Sequence, residues 1–214
     1  MKGEVIKMGE LYFYGYEFLS AFIPFLIVLA VFIYSRKKEG LDLICCAMLV
    51  IFSIYIIGVY HFTSTGTIYN GLTYQLEIRK DLLNLIPFSS DIDFIGYFLN
   101  VVLFVPLGIL VPLICKKMDN LKYIFGTGLG FSIFIELSQL LNNRRTDIDD
   151  LILNTVGAII GFALYKIFDK YTSSKYKLND NIPISIMIIS ILVMFMGRFL
   201  FFNEMGFARL LYGF

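Results

Sequence analysis

Between Ile135 and Gly161 the chain sets a carboxylate and an amide, Glu136 and Gln139, inside one strongly apolar segment. Arg144, Asp147, Asp149, Asp150 and Asn154 then lead into a second apolar segment that carries Gly157 and Gly161. A charged side chain in hydrocarbon costs on the order of 3 kcal/mol by insertion scales, so such residues need partners or a use. Glu136, Asp147 and Asp150 are the candidate general acids or bases. The Asp147-x-Asp149-Asp150 cluster offers carboxylate oxygens of the kind that hold Mg²⁺ against a pyrophosphate. Arg144 offers the bidentate contacts that guanidinium makes to phosphate or carboxylate. Asn100, Gln139 and Asn154 add neutral donors and acceptors suited to a sugar, peptide or lipid headgroup.

Each residue also has a plainer reading. The three aspartates suit the N-terminus of the helix that follows, and Arg144 and Arg145 suit the end of the one before. Asn154 reads equally as a hydrogen bond between helices, and Gly157 with Gly161 as packing. His61 reads as a bystander at an interface, and Arg198 as a side chain that snorkels outward. Glu136 is the hardest to dismiss, because a buried carboxylate must be protonated or paired; Arg144 or Arg198 are its expected partners.

The elements that must position these residues are membrane spans. Apolar residues make up 58% of the 214 and charged residues 16%, whereas a soluble domain is about half apolar and roughly a quarter charged. The excess falls into the blocks 18–34, 41–60, 94–115, 121–141, 151–168 and 182–202, each near the roughly 20 residues that cross hydrocarbon as a helix. The expected fold is an all-α polytopic bundle of about six spans. It divides into an N-terminal tail and first helix (1–40), a four-span core (41–168), and a basic loop with the last helix and tail (169–214). The linker 63–93 is too long for a tight turn, and its mixed Leu, Ile and charged residues predict a helix on the membrane surface. The first span reads as retained, not as a cleaved signal peptide. Cys45, Cys46 and Cys115 read as small apolar packing residues without chelating spacing.

Loops 36–38, 116–122 and 166–177 hold ten of the eighteen Lys and Arg, which marks them as cytoplasmic and puts both tails and the 142–150 loop outside. With that orientation Asn100, Glu136, Gln139, Asn154, Arg198 and His61 all fall within roughly 10 Å of the outer interface, at 1.5 Å per helical residue. Asp150, Asn154, Gly157 and Gly161 share one helix face, and Gly128, Ser132, Glu136 and Gln139 form a matching stripe on the preceding helix. These two helices are expected to pack tightly below, through the small residues, and to open above into a polar pocket.

The segments Asn84-Leu85-Ile86-Pro87-Phe88, Asn100-x2-Leu103-Phe104-Val105-Pro106-Leu107-Gly108, Ile135-Glu136-Leu137-x-Gln139 and Arg144-x2-Asp147-Ile148-Asp149-Asp150-Leu151-x2-Asn154-Thr155-x-Gly157-x3-Gly161 resemble the VanZ-like family. The likeness covers roughly residues 80–168. The family takes its name from an accessory membrane protein associated with teicoplanin resistance, so the resemblance implies a multi-pass bacterial envelope protein. Arg144 falls at the family's arginine position; Arg145 and Thr146 stand where small and aromatic residues are more usual.

The leading functional expectation is a membrane protein that holds an amphiphilic ligand at the outer leaflet, either a lipid-linked cell-wall precursor or a lipoglycopeptide antibiotic. Membrane lipids are its surroundings, nucleic acid is not a partner, and no cofactor is required. The alternative is an intramembrane enzyme acting on a polyprenyl-phosphate or other envelope lipid through Glu136, Asp147 and Asp150, with Mg²⁺ at Asp147/Asp149/Asp150. No zinc-protease helix motif, nucleophile elbow or phosphate-binding glycine loop is present, and a Ser-His-Asp arrangement would have to use His61. A transporter or flippase is a second alternative, disfavoured because transporters place polar groups near the midplane.

Overall fold

The computed structural model describes residues 2–37, 43–73, 83–89, 93–140, 146–172 and 182–203. Among the described residues seven α-helices follow in order: α1 (Lys2–Ser35), α2 (Leu43–Phe62), α3 (Ile68–Thr73), α4 (Phe94–Ile114), α5 (Leu121–Gln139), α6 (Ile148–Thr172) and α7 (Ile184–Phe201). Two short strands, β1 (Leu83–Asn84) and β2 (Thr146–Asp147), precede α4 and α6. Helix starts follow local chemistry. The Asp93 carboxylate accepts the Ile95 N–H at 3.1 Å, and the Asn120 carboxamide oxygen accepts the Lys122 N–H at 3.0 Å. α6 begins three residues before its apolar block because Asp149 and Asp150 sit favourably in its first turn. α3 covers only the start of the linker, and most of the expected surface helix lies outside the described residues.

Among the described residues α1, α2, α4, α6 and α7 are long and apolar enough to cross a membrane. α5 falls short of the other five because its inward face is polar or small. Gly128, Ser132, Glu136, Ser138 and Gln139 are buried, while Phe125, Ile133 and Leu137 point outward at 42–59% exposure. Elsewhere an apolar core of residues such as Phe52, Phe104 and Ile135 also takes in Glu17, Ser53, Thr65, Asn154 and Arg198, while leucines, isoleucines and phenylalanines cover the outside as well. In water this arrangement is backwards. In a bilayer it is the stable one, since lipid solvates the apolar faces and polar groups must satisfy each other.

α6 lies against α4 and α5, α1 pairs with α7, and α2 touches α1, α4 and α7. Tyrosines on α2 tie these groups together. The Tyr55 hydroxyl donates to the Leu103 carbonyl at 2.9 Å, and the Tyr60 hydroxyl to the Ile191 carbonyl at 2.8 Å. The rings of Tyr60, Phe131, Phe104 and Phe195 continue the link, with centroids 5.7–6.1 Å apart.

The closest seam is α4 on α6. A Cβ placed on Gly108 would lie 1.9 Å from the Ala158 carbonyl oxygen; on Gly157, 2.2 Å from that of Val101; on Gly161, 2.0 Å from that of Val105. The small-residue stripe of α6 therefore meets α4, not the expected α5. Of the three glycines of α5, only Gly128 meets α6, where its Cβ would fall 2.8 Å from that of Ala158. The far end of this seam is basic. Lys116 Nζ lies 2.9 Å from Asp119 and 3.3 Å from Asp169, and Lys166 pairs with Asp119 at 2.5 Å. Partial burial works against the Asp119 charge, but the contacts from Lys166 and Lys116 outweigh it and hold the carboxyl below its usual range.

Gly108→Ala and Gly161→Ala should each destabilise the detergent-solubilised protein by about 1–3 kcal/mol, the usual cost of overpacking. Gly126→Ala and Gly130→Ala, whose Cβ would meet nothing within 4 Å, should be neutral or slightly stabilising, because alanine favours helix. Thermal unfolding of the four variants checks the contrast; equal behaviour would remove the seam from the account.

Candidate functional site

The residues singled out by their spacing gather at the end of the bundle where α5 finishes and α4 and α6 begin. The route there starts with the two strands. β1 and β2 pair in parallel, Leu83 with Thr146 and Asn84 with Asp147, bringing two distant segments side by side. The Asn84 amide donates to both Asp147 oxygens, at 3.1 and 3.0 Å, and its carbonyl oxygen accepts the Ser89 hydroxyl at 2.9 Å. Asp147 in turn accepts the Asp149 N–H at 3.1 Å, a capping role at the start of α6.

Asp149 clamps the 84–89 loop onto the helices. One of its oxygens accepts the Phe88 N–H at 2.8 Å, and the other accepts the Tyr97 hydroxyl at 2.5 Å. Phe88 takes a left-handed backbone, φ 53°, to aim its N–H there, and its ring meets the edge of Tyr97 at 6.1 Å. Asp150 accepts the Asn100 amide of α4 at 2.5 Å. Deeper, Glu136 is 3% exposed; its carboxylate accepts the Asp147 N–H at 3.2 Å, while the Thr146 hydroxyl donates to its carbonyl at 3.3 Å. The Asn154 amide donates to the Ser132 hydroxyl at 2.9 Å, and its carbonyl oxygen is buried with no partner among the described residues. Gln139 donates to the Thr63 carbonyl at 2.8 Å, fastening α5 to the turn after α2.

The structure thus brings Asn100, Glu136, Asp147, Asp150 and Asn154 to one end of the α4–α5–α6 group, with Gln139 at its edge. Arg144 and Arg145 lie outside the described residues. Glu136, Asp147, Asp149 and Asp150 are met by amide, hydroxyl and backbone donors, and among the described residues no Lys or Arg forms an ion pair with them. Asp147, Asp149 and Asp150 each turn to a different partner, and no metal-holding cluster of three such groups occurs among the described residues. Chemically, the arrangement is a cluster of acids held by neutral donors among the described residues, with one orphaned acceptor at Asn154.

Arg198 is not Glu136's partner, nor does it snorkel. It is 3% exposed and its Nε donates to Glu17 Oε1 at 2.9 Å, while its Nη1 donates to the Thr65 carbonyl and, at 2.9 Å, to the Thr65 hydroxyl. His61 is likewise no bystander, with Nδ1 2.7 Å from Glu17 Oε2. Glu17 is the residue that sequence reasoning missed. It stands one position before the first apolar block, and the signal was Arg198 itself, a cation in a span that required a counter-ion. Asn84, Ser89 and Tyr97 also join the cluster, which only the strand pairing and the loop clamp reveal.

Asp149→Ala should cost about 2–4 kcal/mol, since two donors to one carboxylate lose their acceptor. Tyr97→Phe should cost roughly 1–2 kcal/mol by losing one of those bonds. Denaturation in detergent gives the energies, and proteolysis within 83–89 should quicken in Asp149→Ala; an unchanged cleavage rate would deny the clamp.

The family described as VanZ/LLP1 has a model that matches residues 43–169, more than half of the 214-residue chain. Protein VanZ of Enterococcus faecium is 35% identical over 94 residues, which are 44% of this chain and 58% of that protein, so the match spans little more than half of the relative. No solved structure matches. The family match runs from α2 through α6, holds the whole Glu136 cluster, and leaves α1 and α7 outside. With five helices fit to span a bilayer and that match over its centre, this chain is a membrane protein belonging to the VanZ/LLP1 family.

Proposed function

We propose that the protein holds an amphiphilic cell-envelope ligand, a lipid-linked cell-wall precursor or a lipoglycopeptide, with its polar head on the Glu136 cluster and its chain among the surrounding helices. The observation that carries this reading is a group of acids without a cation partner among the described residues at one end of an apolar bundle, beside an Asn154 carbonyl oxygen that lacks any partner among them. Sugar hydroxyls and peptide N–H groups are the donors such a surface accepts. Arg144 supplies the complementary cation for a phosphate or carboxylate on the same head. On this reading, retention of teicoplanin or of its lipid-linked target is the route to glycopeptide resistance.

A fluorescent teicoplanin and a polyprenyl-pyrophosphoryl disaccharide peptide are the probes. Saturable binding of at least one to the purified protein is expected. Glu136→Gln and Asn154→Leu should weaken it roughly tenfold or more, the scale of a lost charge-assisted hydrogen bond. Lys117→Ala, exposed at the opposite end, should not change it. Absence of saturable binding, or full affinity in both folded variants, overturns the reading; turnover of the precursor would instead favour catalysis through Glu136, Asp147 and Asp150.

The ligand head is taken to lie on the extracytoplasmic side, with both chain termini and the 142–150 loop, α5 crossing the bilayer as a sixth helix beside the other five. The Lys116–Lys122 and Lys166–Lys170 end carries the basic excess that marks cytoplasmic loops. In a cysteine-free background, Asn142→Cys should react with a membrane-impermeant maleimide on intact cells. Reaction only after permeabilisation would reverse the orientation.

A further inference from the structure

The loop that Asp149 clamps has an outer face that the Glu136 cluster does not use. Leu85, Ile86 and Phe88 are 65%, 68% and 53% exposed, and Pro87 between them is exposed too. Four consecutive apolar residues turned outward at a loop tip mark a contact surface.

The backbone of this tip is arranged for hydrocarbon. The Asn84 carboxamide oxygen accepts the Ile86 N–H at 3.4 Å, Pro87 has no N–H, and Asp149 accepts the Phe88 N–H at 2.8 Å. From Ile86 to Phe88 no amide donor is left over. A loop in water has no need of that economy, because solvent satisfies its free N–H groups. An irregular segment beside lipid has every need of it, since nothing in the bilayer core can pair with a free donor. Asn84 makes the arrangement from within: it is buried, its oxygen also takes the Ser89 hydroxyl at 2.9 Å, and its amide donates to both Asp147 oxygens. Polar atoms of the loop therefore turn inward and apolar side chains outward.

The partners of the loop fix its depth. β2 is tied by the Asp147 N–H to Glu136, within the last turn of α5, and β1 pairs with β2. The Phe88 ring meets Tyr97, in the first turn of α4, with centroids 6.1 Å apart. α4 is fit to span a membrane from Phe94 onward, and Phe94, Ile95 and Phe98 around that turn are exposed. The tip thus lies level with helix turns that already face lipid, not beyond them.

We propose that Leu85, Ile86 and Phe88 are embedded in the acyl chains of the leaflet at this end of the bundle. The loop is then a re-entrant wedge, one wall of the Glu136 cluster on its inner side and a lipid contact on its outer side. Phospholipid hydrocarbon is the occupant. The tip sits beside the lipid-facing turn of α4, and its three side chains fall far short of the roughly 20–30 residues a side of a stable protein interface.

The chain has no tryptophan, so Ile86→Trp places a single indole at the tip. The full-length variant goes into nanodiscs of phosphatidylcholine brominated either near the glycerol end of the acyl chain or near its methyl end, with iodide as the aqueous quencher. Blue-shifted emission is expected, with a large loss in the shallow-brominated discs, a smaller loss in the deep-brominated ones and little response to iodide. In the unaltered protein, a phosphatidylcholine carrying a diazirine in the upper part of its acyl chain should label residues 85–88. Emission at the position of free indole in water with strong iodide quenching overturns the proposal, as does absence of the diazirine label. Shielding from both bromine and iodide also overturns it, because protein would then cover the tip. Tm and elution as a single species establish the fold of the variant, and Leu85→Trp repeats the measurement if Ile86→Trp fails there. No envelope ligand is present in these experiments, so their failure leaves the ligand reading of the Glu136 cluster standing, and the reverse holds too.

Discussion

Backbone-to-backbone contact between α4 and α6 is the constraint from which the site follows. Gly108, Gly157 and Gly161 let each helix press its main chain against a carbonyl of the other. Gly157 faces Val101, next to Asn100, so the approach that glycine permits is what sets Asn100 and Tyr97 within reach of Asp150 and Asp149. Held a few ångström further apart, those carboxylates would lose their donors in an apolar surrounding, at a cost of several kcal/mol each. Inside a bilayer the hydrophobic effect does not drive helices together, so close packing and interhelical hydrogen bonds must carry the association. Here the one makes the other possible.

The chain buries acids in two ways. Glu17 is balanced by Arg198 and shared with His61, which closes the charge account locally and ties α1, α7 and α2 into a unit. The acids around Glu136 are held by neutral donors alone among the described residues, and no cation balances them there. One arrangement is complete in itself, and the other invites something else to complete it. The VanZ/LLP1 match contains the Glu136 cluster whole, whereas it divides the other group, with Glu17 and Arg198 outside it and His61 and Thr65 inside.

The helices and the polar stripe were legible because hydrocarbon punishes polar side chains heavily; a Glu or Asn in an apolar block had to face something polar. Partnership was less legible. The Gly157/Gly161 spacing announces close approach but does not name the neighbour, and the neighbour is α4. Counting apolar residues started the sixth helix of the chain at Leu151, whereas capping by Asp147 starts it at Ile148. Asn84 could be quoted within a motif, yet its bond to Asp147 depends on a two-residue strand pairing too short to leave any periodic trace. Glu17 lay at the margin of an aromatic run, where a carboxylate resembles an interfacial residue until the helix is known to begin fifteen positions earlier.

The turn after α2 is gripped from both sides. Gln139 of α5 holds the Thr63 carbonyl, Arg198 of α7 holds Thr65, and Ser64 between them sits in the left-handed region at φ 49°. A helix whose end is fastened to two neighbours through Thr63 and Thr65 resists sliding along its own axis. A piston stroke of α2 must therefore break the Gln139 and Arg198 contacts or carry α5 and α7 along with it.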